Sequence, residues 1–260
     1  MKSRTIILLA VVSLILPGTI MAQKKLASKP QDKFLTPHVF EYRTNHNATL
    51  NYLTFLPKGY QADDKKKWPL LLFLHGAGER GTNVWAVNIH GPSKYIAENP
   101  DFPFILVAPQ CPANETWSNE PLLALLSHVE KSYRVDKRRV YLTGMSMGGY
   151  GAWNLGTTYP ERFAAIAPIC GGGQTIQVIL AAKGYAPQKQ KSLSTLGVWA
   201  FHGAKDTLVP PSESEHMLQA LQEAKVKEIK YTVYPEAKHD SWTDTYNNPE
   251  LYDWFLQHKR

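Results

Sequence analysis

Cysteine is nearly absent from this chain, with two in 260 residues, Cys111 and Cys170. No HExxH or paired-cysteine motif occurs, and the histidines lack ligand spacing. The common metal-site signatures are therefore missing, and no metal or cofactor is expected. A disulfide-stapled scaffold is excluded too, since one bridge at most could form. Long apolar runs are also missing beyond the first 22 residues, so no later stretch can span a membrane. There is no internal repeat, low-complexity tract or long linker. Acidic excess is absent: 29 Lys and Arg against 22 Asp and Glu give a formal charge of +7. The basic residues are dispersed, around Lys65–Lys67, Lys137–Arg139, Lys189, Lys191 and Lys225–Lys230. They read as a solvated basic surface, with attraction to anionic polysaccharide as the sharper alternative. Nothing has the form of a nucleic-acid module.

The first 22 residues stand apart. Lys2 and Arg4 form a positive start, Ile6 to Leu16 is apolar, and Pro17-Gly18 breaks the run before Ala22. This is the layout of a secretory signal peptide cleaved after Ala22, which would place the protein in the periplasm or outside the cell. Ile20 at position −3 leaves an uncleaved anchor as the alternative. Cleavage leaves roughly 235 residues, the size of a single domain. Residues 23–33 are polar and expected to be loose, so the domain should run over 34–260.

Chemistry first shows at Gly144-Met145-Ser146-Met147-Gly148, between the apolar run 139–143 and a small-residue helix start at 149–155. A serine hydroxyl attacks well only when a sharp turn holds it out beside a base. Glycines on both sides give that turn room. Upstream, the apolar run 68–74 ends in His75-Gly76-Ala77-Gly78-Glu79-Arg80-Gly81. Such a loop can aim the N–H of Ala77 at a developing oxyanion, with the N–H of Met147 as the second donor. Downstream, the strand 196–203 runs into Asp206, and the strand 230–234 runs into His239. Strand ends are where α/β sheets carry their functional groups. Ser146, Asp206 and His239 thus occur in the chain order serine, acid, histidine, the order of α/β-hydrolases. Asp240 rivals Asp206 as the acid, but it adjoins His239, so its side chain points away from the ring.

Six segments in order carry a resemblance: LLFLHGAGERG (71–81), VAPQCP (107–112), RRVYLTGMSMGGYGAW (138–153), FAAIAPICGGG (163–173), VWAFHGAKDTLVP (198–210) and HDSWTDTYNNPELYDWF (239–255). Together they resemble the compact esterase branch of the α/β-hydrolases. That branch includes feruloyl esterases, polyhydroxybutyrate-depolymerase-like and dienelactone-hydrolase-like proteins, and relatives labelled predicted peptidase or prolyl oligopeptidase family. The resemblance implies a mostly parallel eight-stranded sheet with helices on both faces. It also implies an ester hydrolase acting on small or oligosaccharide-linked esters.

Strands are expected near 37–43, 49–56, 69–75, 103–109, 138–144, 163–169, 197–202 and 228–234, the first two antiparallel. Helices are expected at 84–97, 119–133, 147–158, 212–224 and 248–258. Residues 171–195 occupy the usual position of a lid, and the segment is too short for a helical cap domain, so the pocket should be open. Gln110, Trp117, Tyr150 and Trp242 lie on segments that should converge on it, as substrate contacts or as core residues. His75, His202, Glu79 and Arg80 read as structural. Cys111 and Cys170 allow one disulfide or two buried thiols, and oligomeric state stays open. Two further readings remain beside the esterase: a peptidase or amidase using the same triad, and a non-catalytic carbohydrate-binding descendant of the fold.

Overall fold

The computed structural model describes residues 33–43, 47–184 and 186–260. The expected leader and all but the last residue of the expected loose segment 23–33 lie outside the described residues. Eight strands form one sheet: β1 (Thr36–Arg43), β2 (Asn47–Phe55), β3 (Trp68–Leu74), β4 (Ile105–Pro109), β5 (Val135–Met145), β6 (Ala165–Ile169), β7 (Gly197–Gly203) and β8 (Glu228–Tyr234). Their order is β1-β2-β4-β3-β5-β6-β7-β8. The β1–β2 and β2–β4 pairs are antiparallel and the other pairs are parallel. This mixed sheet is the α/β-hydrolase fold.

The apolar run of β3 shows why the sheet is buried on both sides. Leu70, Leu72 and Leu74 point into one core with α2 (Asn119–Ser132), α3 (Met147–Thr158) and α6 (Ser212–Glu223). Leu71 and Phe73 point into the other core, with α1 (Gly91–Glu98) and α8 (Pro249–Gln257). Alternate residues of one strand feed opposite cores, so no position can be polar. The β-strand order turns around at β3. From there the chain steps outward to β4 and then back past β3 to β5. The loops after β3 and β5 therefore part at the switch point, where such sheets bind ligands.

Some expected elements differ. The helix expected over 84–97 is two pieces, a 3₁₀ turn Val84–Asn88 and α1. Gly91 separates them: its φ is 77°, and a Cβ there would lie 2.3 Å from the Phe73 ring. The segment 171–195 carries two short helices, α4 (Thr175–Lys183) and α5 (Pro187–Ser194), where no helix was expected. A further short helix, α7 (Trp242–Asn247), precedes α8. Cys111 and Cys170 are buried free thiols. They follow strands separated by β3 and β5.

Candidate active site

The chain leaves β5 at Met145 and enters α3 at Met147, so Ser146 alone makes the turn. Its φ of 53° and ψ of −118° lie where side chains are disfavoured, a strain on the order of 1–3 kcal/mol. Close packing enforces the turn. A Cβ on Gly148 would lie 1.9 Å from the Leu74 carbonyl oxygen, and one on Gly144 would lie 2.2 Å from the Gly148 oxygen. Helix α3 can thus press directly on the end of β3 only because both positions lack a side chain. Ser146 N–H donates to Ile169 O at 2.9 Å and also faces Cys170 Sγ at 3.3 Å. Cys170 itself has a φ of 41°, and burial pushes its thiol up to about 12. A neutral, inert thiol therefore lies beneath the serine, a contact that no sequence motif signals.

The three residues expected to act together do meet. Ser146 Oγ lies 2.9 Å from His239 Nε2, and His239 Nδ1 lies 2.7 Å from Asp206 Oδ2. With Nδ1 protonated and donating to the carboxylate, Nε2 is free to accept the serine proton. Asp206 is 5% exposed. Burial alone would raise its carboxyl. The hydrogen bonds from His239 and from the Val209 and Leu208 N–H groups, with the His239 charge, outweigh this and hold it below the usual carboxylate value. Asp240 is exposed, and its carboxylate accepts from the N–H and hydroxyl of Thr243. His202 is fully buried, with Nε2 donating to Val209 O and Nδ1 against the Ser214 hydroxyl, so it braces the Asp206 loop.

Ala77 begins a 3₁₀ turn and Met147 begins α3, positions whose N–H groups have no partner inside their own helix. Ala77 is exposed and Met147 half-buried. The loop comes close to the serine: a Cβ on Gly76 would lie 3.7 Å from Ser146 Cβ. Around Ala77 the loop is held from several sides. His75 Nδ1–H donates to Gly76 O at 2.6 Å, and Cys111 N–H donates to His75 Nε2 at 2.9 Å. Burial lowers His75 to about 4, so it stays neutral. Arg80 donates to Ala77 O and Glu115 O.

Of the two roles expected for Gln110 and Trp117, substrate contact or core residue, both take the buried one. Gln110 is 2% exposed and its amide donates to the carbonyls of Glu79 and Asn83, each at 2.8 Å. Trp117 is 9% exposed and its indole N–H donates to His75 O at 3.0 Å. Both face the carbonyls of the His75–Asn83 loop from below, which makes them its anchors. Tyr150, by contrast, is exposed with its hydroxyl 3.3 Å from Glu213 Oε2. Trp242 is half-buried, its ring edge-on to His239 at 5.4 Å. Two surface hollows, of about 480 and 350 Å³, lie elsewhere and include no residue of this array.

Residues 88–247 match the family model described as "Putative esterase", and the chain belongs to that family. It is 27% identical over 158 residues to the bifunctional acetylxylan esterase/xylanase of Neocallimastix patriciarum, covering 58% of this chain and 21% of that protein. It is 26% identical over 165 residues to "Probable feruloyl esterase C" of Aspergillus terreus, covering 61% of this chain and 56% of that one. The chain thus spans a fifth to just over half of these relatives. A crystal structure of a thermostable esterase superposes with a TM-score of 0.67 at 31% identity, over 86% of this chain and 63% of that one.

Proposed function

We propose that the chain is an exported serine esterase that forms an acyl-enzyme on short-acyl or hydroxycinnamoyl esters, including those borne by polysaccharides. The observation that carries this is the continuous relay from Ser146 Oγ through His239 to Asp206. Ser146 Oγ attacks the ester carbonyl carbon as its proton passes to His239 Nε2. The carbonyl oxygen becomes an oxyanion, held by the Ala77 and Met147 N–H groups. Collapse breaks the bond to the alcohol oxygen, which takes the proton from His239 and leaves. Water then gives a proton to His239 and attacks the acyl-serine, and collapse frees the acid and restores Ser146. Asp206 fixes the His239 tautomer and stabilises its charged form. No step calls for a cofactor.

The substrate class is supported by the relatives named for acetylxylan and feruloyl esters. Export is supported by the leader-like first 22 residues. The short segment between β6 and β7 provides no lid that would open at a lipid surface, so long-chain triglycerides should be poor substrates. The test is a panel of acetyl, butyryl and feruloyl esters, matched anilides and a long-chain ester. Hydrolysis of the short or feruloyl esters far above the anilides is expected. Faster anilide cleavage, or a jump in rate above the micelle concentration of the long-chain ester, would overturn the reading.

A further inference from the structure

Strand β8 ends one side of the sheet and pairs with β7 alone, so its outer edge has no strand beside it among the described residues. Such an edge invites another strand. Natural proteins guard it by shortness, a proline, a bulge or charged side chains. In β8 the first three guards are missing. The strand runs for seven residues, Glu228-Ile229-Lys230-Tyr231-Thr232-Val233-Tyr234, without a proline. Its register against Gly197–Gly203 is unbroken. The fourth guard is spent, because both charges are turned to their own chain. Glu228 accepts from Trp254 Nε1–H at 3.0 Å and lies 2.9 Å from His258 Nε2. Lys230 Nζ sits 4.3 Å from the centre of the Trp199 ring.

The opposite face of the strand is apolar. Side chains alternate along a strand, so Ile229, Tyr231 and Val233 share one face. Ile229 and Tyr231 line the hollow of about 480 Å³ between β8 and α6, together with four residues of that helix. Val233 is 39% exposed. An unguarded edge and an uncovered apolar strip therefore run side by side along β8.

We propose that this edge is the interface of a two-fold symmetric dimer, in which the β8 strands of two copies pair antiparallel. The residues favour a second copy over a foreign strand. A two-fold axis perpendicular to the sheet sets residues of the same face opposite each other. The register that pairs all seven residues centres on Tyr231. Tyr231 then meets its own copy, Ile229 meets Val233, Lys230 meets Thr232 and Glu228 meets Tyr234. Aromatic and β-branched side chains are matched on the apolar face, and no like charges stand opposite each other. The paired strands run in opposite directions, so the two active sites face opposite ways.

Sedimentation of the purified protein at micromolar concentrations tests the interface. The wild type is expected to sediment as a dimer. Val233→Lys changes an exposed position outside the relay, so it should keep its fold and its turnover of a simple acetate. It should weaken the dimer by roughly 10-fold or more, because a symmetric contact loses two pairs at once. Ile229→Glu should dissociate the dimer in the same way. Mixing the two variants should restore it through one Lys–Glu pair beside one native Ile–Val pair. Ile229 is half-buried, and should its variant not fold, Val233→Lys decides alone. A monomeric wild type, a Val233→Lys dimer as tight as the wild type, or two folded variants that stay monomeric when mixed would overturn the interface.

Discussion

The loop after β3 and the segment after β6 both leave the sheet beside Ser146, yet they are built in opposite ways. The first is pinned. Gln110, Trp117, His75 and Arg80 all hydrogen-bond its carbonyls, and it carries a buried carboxylate. The second starts at three glycines and runs into α4 and α5, and the outer face of α4 shows Ile176, Ile179 and Leu180 at 50, 44 and 57% exposure. The difference follows from what each must do. An oxyanion donor stabilises charge only if it is already in place when the charge forms, so its loop must be fixed. A segment that makes no donor is under no such demand: it is held by packing, with Val178, Ala181 and Leu193 in the core and Gly171 O accepting from Ser214 Oγ, while its outer face stays uncovered.

The contrast can be broken at three levels. The largest effect is expected at the relay that both segments flank. Asp206→Asn should lower kcat by about 10²- to 10⁴-fold through the wrong His239 tautomer, while Asp240→Asn changes it far less. The reverse ranking in steady-state kinetics would displace Asp206. The same carboxyl shapes acid stability. Its folded value is depressed, so its contribution is full above the ordinary Asp value of about 3.9 and fades as pH falls through the lower folded value. Acid unfolding of Asp206→Asn should lack that contribution.

A middle effect is expected at the pinned loop. Gln110→Ala leaves the Glu79 and Asn83 carbonyls without their amide donor, each bond worth about 0.5–1.5 kcal/mol. The kcat for a simple acetate should fall roughly 10-fold with little change in KM, because the lost stabilisation belongs to the transition state. An unchanged kcat would mean that the loop keeps its shape unaided. The smallest effect is expected on α4. Changing Ile176, Ile179 and Leu180 together to Ser should shift kcat/KM for the same acetate by less than about 2-fold, as exposed substitutions do. A 10-fold loss would show that this segment lines the site after all.

Much of this was readable from residue order. The glycine-flanked Ser146 and the strand-end positions of Asp206 and His239 fix the relay, because a turn and two strand ends leave the side chains few directions. The central strands β3, β4 and β6 were legible because their apolar runs are unbroken. What escaped was set by packing. Gly91 breaks the helix expected over 84–97 because the Phe73 ring occupies the space a side chain would need. Helix α4 was hidden because its apolar residues are not confined to the buried face, so the usual periodicity fails. Gln110 and Trp117 lie near the site in sequence terms, and only hydrogen bonding shows that they serve the loop.

Labelling with a fluorophosphonate, read by intact mass and peptide mapping, tests the central claim most directly. One adduct per chain is expected, located on Ser146. Ser146→Ala should keep its fold by circular dichroism, take no label and lose ester turnover by roughly 10⁴-fold or more. A folded Ser146→Ala protein that still hydrolyses esters normally, or a label on another residue, would contradict the account.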